Sequence, residues 1–211
     1  MKKVITSLHI PASVLFICCL FFLGRLDAQV TRFVDASRPD NSGAGTSWAT
    51  AKRDIQAAIN GANAGDQVWV KAGSYVPTLD PFGNATPANN RDKTFTLKEG
   101  VKVYGGFAGN ETQLSQRNWR LNVTTLSGDL GVFNTLTDNS YHVVISVNLT
   151  SATVLDGFTI TKGYATAPWQ SSVTISGRVI NRYKGAGVYN SHSSTQFTNL
   201  NITQNRADCT D

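Results

Sequence analysis

Few side chains in this sequence stand where chemistry would need them. Asp129, Asp138 and Asn139 bracket one polar segment and could offer oxygen ligands to Ca²⁺. Their spacing fits no regular calcium loop such as D-x-D-x-D-G, so the segment reads as an ordinary solvated loop. No cofactor and no metal site is therefore assigned. Acid–base hydrolysis needs two carboxyl groups at a set separation, and the sequence has neither an Asp-Asp pair nor a Gly-His-Gly run. Asp156, in "LDGF", reads as a bend residue whose carboxylate accepts backbone N–H groups. His142, in "SYHVV", reads as a strand residue with its hydrogen bonds satisfied, because a general base needs a partnered site. His192 lies in a serine-rich bend with no cysteine or histidine at ligand spacing. No catalytic residue is assigned.

The aromatic residues offer a different chemistry, since flat exposed rings stack on sugar faces. Tyr164, Trp169 and Tyr183 surround the longest late insertion, and packing that insertion onto the body of the protein is the reading preferred for them. Trp69 and Phe158 alternate with polar neighbours and are expected in the core, while Trp48 and Trp119 are expected to cover one end of the fold. Five Asn-x-Ser/Thr sequons (Asn84, Asn110, Asn122, Asn148 and Asn201) matter only in a eukaryotic secretory route.

These residues must be positioned by an exported domain. Residues 1–28 read as a signal peptide: Lys2 and Lys3 precede the apolar run "VLFICCLFFL", too short to span a bilayer, and Ala28 offers a cleavage site. Cys18 and Cys19 lie inside that run, and the bulky Ile17 argues against lipidation. Only Cys209 then remains, so a core must hold the domain without an intrachain disulfide. The formal charge falls from +5 to +3 with the loss of Lys2, Lys3, Arg25 and Asp27, and the remaining charges are scattered. No clustered cations mark a nucleic-acid stripe, and no second apolar run is long enough to cross a membrane.

One helix is expected. Ile55, Ala58, Ile59 and Ala62 fall on a single helical face, with Thr50 a candidate N-cap and Gly61 or Gly65 a terminator. With the alternating "TRFVDAS" it forms an N-terminal unit over residues 29–66. From Gln67 the texture is β, in short runs such as "QVWVKAGSYV", "VKVYGGF", "YHVVISVNLT" and "SVTISGRVI", separated by polar segments. "LDGFTITKGYA" (Leu155 to Ala165) is echoed by "TNLNITQNRA" (Thr198 to Ala207), forty-two positions on. That offset suits two coils of about 21 residues in a solenoid. Asp156-Gly157, the one Asn-Gly or Asp-Gly dipeptide after Gln67, reads as a bend inside the repeat. Inward Val, Ile, Leu and Phe would fill the tube, and Asn190, Asn199 and Asn205 would turn the chain. The expected fold is all-β: a right-handed parallel β-helix over residues 67–211, with one N-terminal capping helix closing its apolar first cross-section.

The ordered series "GTSWATAKRDIQAAINGANAGDQVWVKAGSYVPT", "FTLKEGVKVYGGFAGNET", "TTLSGD", "NSYHVV", "LDGFTITKGYA" and "GAGVYN" resembles the N-terminal region of secreted bacterial right-handed parallel β-helix proteins with the pectin lyase-like fold. The resemblance covers about residues 30–207. It implies a large secreted or cell-surface protein, often with a C-terminal sorting domain, so the chain is expected to be truncated after "NRADCTD". Some relatives cleave polysaccharides, lyases with calcium and an Arg or Lys base, hydrolases with clustered Asp. The preferred expectation is a non-catalytic adhesion or glycan-contact module whose partner is an extracellular polysaccharide or a host or cell-surface glycan. The alternative is the N-terminal part of a polysaccharide lyase or glycoside hydrolase whose active site lies in missing rungs. Fold alone does not choose between them.

Overall fold

The computed structural model describes residues 28–208. The expected signal peptide, apart from Ala28, and Cys209 lie outside the described residues. The fold is mostly β, with one α-helix, α1 (Ile55–Gly61). Three parallel sheets dominate it, and none closes into a barrel. The first sheet joins β1 (Thr31–Val34), β2 (Gln67–Lys71), β5 (Lys102–Phe107), β8 (Val154–Asp156) and β14 (Gln196–Thr198). The second joins β3 (Gly73–Tyr75), β6 (Thr124–Ser127), β9 (Phe158–Thr161) and β15 (Asn201–Thr203). The third joins β4 (Phe95–Thr96), β7 (Val144–Val147) and β13 (Val188–Ser191). A short parallel pair, β10 (Tyr164–Ala165) with β16 (Arg206–Ala207), follows the second sheet. β11 (Ser172–Ile175) and β12 (Arg178–Asn181) form an antiparallel hairpin.

From β2 onward the chain visits the three sheets in the same order, and each of their strands pairs in parallel with its equivalent from the passage before. Alternation decides which side chains face inward. Val68, Val70, Val103 and Leu155 from the first sheet, Tyr75, Leu126 and Ile160 from the second, and Phe95 and Val144 from the third share one buried cluster. Ile55, Ala58, Ile59 and Ala62 of the helix complete it, as their spacing predicts. Burying a side chain such as Ile160 contributes about 1.5–3 kcal/mol.

The helix also satisfies a free sheet edge. The buried Gln56 amide donates to the Thr96 carbonyl at 3.1 Å and accepts from the Thr96 N–H at 2.9 Å, standing in for a neighbour of β4. Lys98 Nζ caps the other end of α1, donating to the carbonyls of Asn60 and Ala62. The helix N-cap is Asp54, not Thr50, which sits in a separate 3₁₀ turn (Trp48–Thr50) capped by Ser47.

Sharp bends recur at equivalent positions. Gly157 and Asn199 leave the first sheet with positive φ, Lys162 and Gln204 leave the second, and Asn148 and His192 leave the third. Asp156-Gly157 is thus a bend. The hairpin lies elsewhere, at Ser176-Gly177, where φ of 47° and 76° give the primed geometry of a two-residue turn. The periodicity also differs from the expectation. Ile160 pairs directly with Ile202 and Thr161 with Thr203, so the 42-residue offset is one passage, not two coils of about 21. Arg32 pairs with Val68, Val68 with Val103, and Val103 with Leu155, so passages vary in length because the loops between sheets do.

Candidate functional site

The outer face of the second sheet presents a ladder. Ser74, Thr125, Thr159 and Asn201 are register partners on successive strands, pointing away from the buried Tyr75, Leu126 and Ile160. Adjacent strands stand about 4.8 Å apart. Among the described residues, none of these four side chains has a protein hydrogen-bond partner. They form a floor of uncommitted groups, each able both to donate and to accept.

Two walls rise from this floor. At the start of the strands, Trp119, Arg120 and Val123 enclose a hollow of about 240 Å³ with Thr159, Asn199 and Asn201. At their end, Val76, Asp129, Phe133 and Lys162 enclose a second hollow of about 240 Å³ with Ser74, Thr125 and Thr161. The hollows flank the Thr125–Thr159 pair from opposite sides. Phe133 is 78 % exposed, and the Arg120 guanidinium stacks 4.9 Å from the Trp119 ring.

The first wall is fixed by its own polar residues. Glu111 accepts the N–H groups of Ala108, Gly109 and Asn110, which outweighs the upward push of burial and holds its carboxyl below the usual value. Gln116 Oε1 accepts the Thr112 and Gln113 N–H groups. Arg117 then reaches under the loop, donating to the Gly105 carbonyl at 3.0 Å and to Asp156 Oδ2 at 2.5 Å. Trp119 lies flush on Gly106, where a Cβ would come within 2.5 Å of the Trp119 Cα. Asp156 is therefore an anchor, held by Arg117 and by Asn199 at 2.8 Å, and not a cap on backbone N–H groups.

The second wall contains the residues weighed as calcium ligands. Asp129 Oδ2 accepts Lys162 Nζ at 2.7 Å and the Asn134 N–H at 3.1 Å. Burial alone would raise the Asp129 carboxyl, but Lys162 and Asn134 outweigh it and hold it below its ordinary value. Asp138 Oδ2 accepts the Val132 N–H, and the Asn139 carbonyl accepts Arg91 Nε. Lys162 Nζ also donates to Asn134 Oδ1 at 2.8 Å and sits 4.3 Å from the Phe133 ring, so an ammonium already balances this loop. Among the described residues, no group of three His, Cys, Asp or Glu side chains is placed to hold a metal ion.

The remaining aromatics are distributed differently from expectation. Phe158 and Trp69 are both buried, as expected, Phe158 in the central cluster and Trp69 on the outer side of the first sheet, stacked 4.7 Å from Phe107 and edge-on to Phe33. Trp48 joins this outer cluster, and Trp119 belongs to the groove, so neither covers an end of the fold. Trp169 is 59 % exposed, 5.1 Å from the buried Tyr183, at the base of the β11–β12 insertion. Tyr164 lies under Arg91 and Arg206. Among the described residues, the His192 ring has one hydrogen-bond partner, Ser191 Oγ at 3.1 Å.

Two Arg-x-Lys runs, Arg91–Lys93 and Arg182–Lys184, meet at the insertion. Arg182 grips Asp92 through two bonds of 2.6 and 2.7 Å. Arg91 stacks 4.0 Å above Tyr141 and donates to the carbonyls of Asn139 and Tyr164. Both guanidiniums are committed to structure.

His142 lies beside them, just before β7 and 4 % exposed. Nδ1 donates to the Gly185 carbonyl at 3.1 Å, which leaves Nε2 a buried acceptor without a protein partner. The expectation of a fully satisfied histidine thus holds for one nitrogen only. Burial pushes its pKa down to about 4, with the Gly185 carbonyl opposing. The unfolded chain therefore binds a proton that the folded chain refuses. This contribution to stability is complete above about pH 6.5 and is lost as pH falls toward 4, a loss of roughly 3 kcal/mol. Urea unfolding at pH 7.5 and 4.5 should show this decline in the parent, and His142→Phe should flatten it. An equal decline in both would refute the assignment.

The chain matches no family model, no curated protein and no solved structure. Among the described residues no helix is long and apolar enough to cross a membrane.

Proposed function

We propose that this chain is a right-handed parallel β-helix module of the pectin lyase-like kind, secreted or held on the outer cell surface, that contacts glycans without turning them over. The recurring visit to three parallel sheets supports the coil, with α1 as its N-terminal cap. The observation that carries the function is the ladder of uncommitted polar side chains lying between a tryptophan wall and a phenylalanine wall. Sugars pair in this way, with hydroxyls on a polar floor and C–H faces on aromatic rings. The carboxylates nearest the groove favour binding over hydrolysis: Asp129 and Asp156 are each ion-paired, whereas a general acid needs a carboxyl kept protonated.

The test is a glycan array probed with the purified chain, beside an ultraviolet assay for release of unsaturated uronides. Binding without release is expected. Trp119→Ala and Phe133→Ala should each weaken binding by roughly tenfold, the worth of one stacking contact. Release of uronides by the chain itself, or unchanged binding in both variants, would overturn the proposal.

A further inference from the structure

We infer that the groove on the second sheet takes an extended, neutral, equatorially linked pyranose chain lying across the strands, with one sugar ring per rung. The inference rests on the glycan reading above and specifies its ligand. The floor supplies the spacing. Ser74, Thr125, Thr159 and Asn201 are in register on β3, β6, β9 and β15, so one uncommitted polar group recurs every 4.8 Å or so along the stack. An extended β-linked pyranose chain advances by a closely similar distance per ring. A peptide strand, with its side chains alternating between faces, would offer the floor a matching group only at every second residue.

Chemistry at each rung fits this repeat. In an extended β-1,4 chain successive rings flip, so the edge facing the floor alternates in its donors and acceptors. Hydroxyls and a carboxamide meet either edge, because each both donates and accepts. Trp119 borders the row at the Thr159 and Asn201 rungs, where the strands start, and Phe133 borders it at the Ser74 and Thr125 rungs, where they end. A ligand lying along the strands would run into one of these walls, whereas one lying across them passes between.

Charge selects against a polyuronide. Arg117 is paired with Asp156 and Lys162 with Asp129. Arg120, stacked on Trp119, is then the one cation on the walls without a carboxylate partner, among the described residues. A chain bearing a carboxylate on every ring would bring an anion to each of four rungs against that single guanidinium.

The experiment is calorimetric titration of the chain with cello-oligosaccharides of one to six sugars, with oligogalacturonides of matched length as the charged series. Affinity for the neutral series should rise by roughly threefold to tenfold per added ring, the range of one net hydrogen bond. The rise should stop at four sugars, the number of strands in the sheet. The double variant Thr125→Val, Thr159→Val keeps shape and strand preference; it should lose about tenfold or more on the tetramer with unchanged thermal unfolding. Length-independent affinity, full affinity in the double variant, or a preference for oligogalacturonides that collapses in salt would each overturn this inference while leaving glycan contact standing. Failure of every glycan to bind would defeat the functional proposal itself.

Discussion

Gly163→Ala is expected to destabilise the chain by about 3 kcal/mol or more, because the added methyl has nowhere to go. An ideal Cβ at this position would sit 2.0 Å from the Ala186 carbonyl oxygen and 3.0 Å from Val143 Cγ2. That oxygen is already in use, accepting the Val143 N–H at 2.9 Å where the third sheet begins. Its neighbours are backbone and a β-branched side chain, neither of which can swing aside. Gly61→Ala supplies the contrast. It lies in the last turn of α1 with nothing nearer than the Arg32 guanidinium at 3.9 Å, so the same methyl should stabilise by about 0.5 kcal/mol. In thermal melts the first variant should fall by roughly 10 °C and the second should rise by a degree or two. A Gly163→Ala melt within a degree of the parent would mean that the close approach of Ala186 to Gly163, across the base of the β11–β12 insertion, is wrong.

The glycine at 163 illustrates what the sequence does and does not disclose. Strand type was legible wherever inward residues alternate, as in Phe158, Ile160 and their partners, because one face of the sheet is buried. The helix was legible for the same reason at a different period. Passage length was not. The echo between Ile160 and Ile202 is real, but their direct pairing depends on the β11–β12 insertion lying outside the sheets, and no local property of the chain says where an insertion begins. The hairpin itself carries a Ser-Gly turn, a weaker signal than Asn-Gly, embedded in a run that reads equally well as one strand.

The groove was less legible still. Thr125 and Thr159 look like ordinary outward strand residues; what makes them a ladder is register, and register is set by pairing across 34 positions. Trp119 lay in a loop whose destination depends on Gly106 and Gly157 being bare enough to receive it. The sequence also hides the partner of Asp129, weighed as a calcium ligand and left unassigned: Lys162 follows only after β7, β8 and β9. Charge balance at a site is a property of the folded neighbourhood, and single positions cannot reveal it.

Asp156 shows the same limit with the largest energetic consequence, through its partner Arg117. Both side chains are nearly buried, at 12 % and 13 % exposure, and meet at 2.5 Å. Arg117 also donates to the carbonyls of Gly105 and Asp156, and Asn199 donates to the second carboxylate oxygen. Replacing Arg117 by Met keeps much of the volume but strands a carboxylate, and the expected loss is about 3–4 kcal/mol. Asp156→Asn should lose less, about 1–2 kcal/mol, since the guanidinium retains two carbonyl acceptors and the carboxamide can still accept from Asn199. The double variant should be more stable than Arg117→Met alone, because the charge left behind is gone. A coupling of about 2 kcal/mol in a urea double-mutant cycle would measure the pair. Additive losses would instead show that Arg117 acts only by packing. The groove adds a second readout: Arg117 holds the loop that carries Trp119, so Arg117→Met should weaken glycan binding at temperatures where the chain is still folded. A restored stability without restored binding in the double variant would separate the two roles, since the guanidinium ties that loop to Asp156 of β8, whereas the loop's bonds to β5 also include those from the Asn118 N–H and Asn122 Nδ2 to the Gly106 carbonyl.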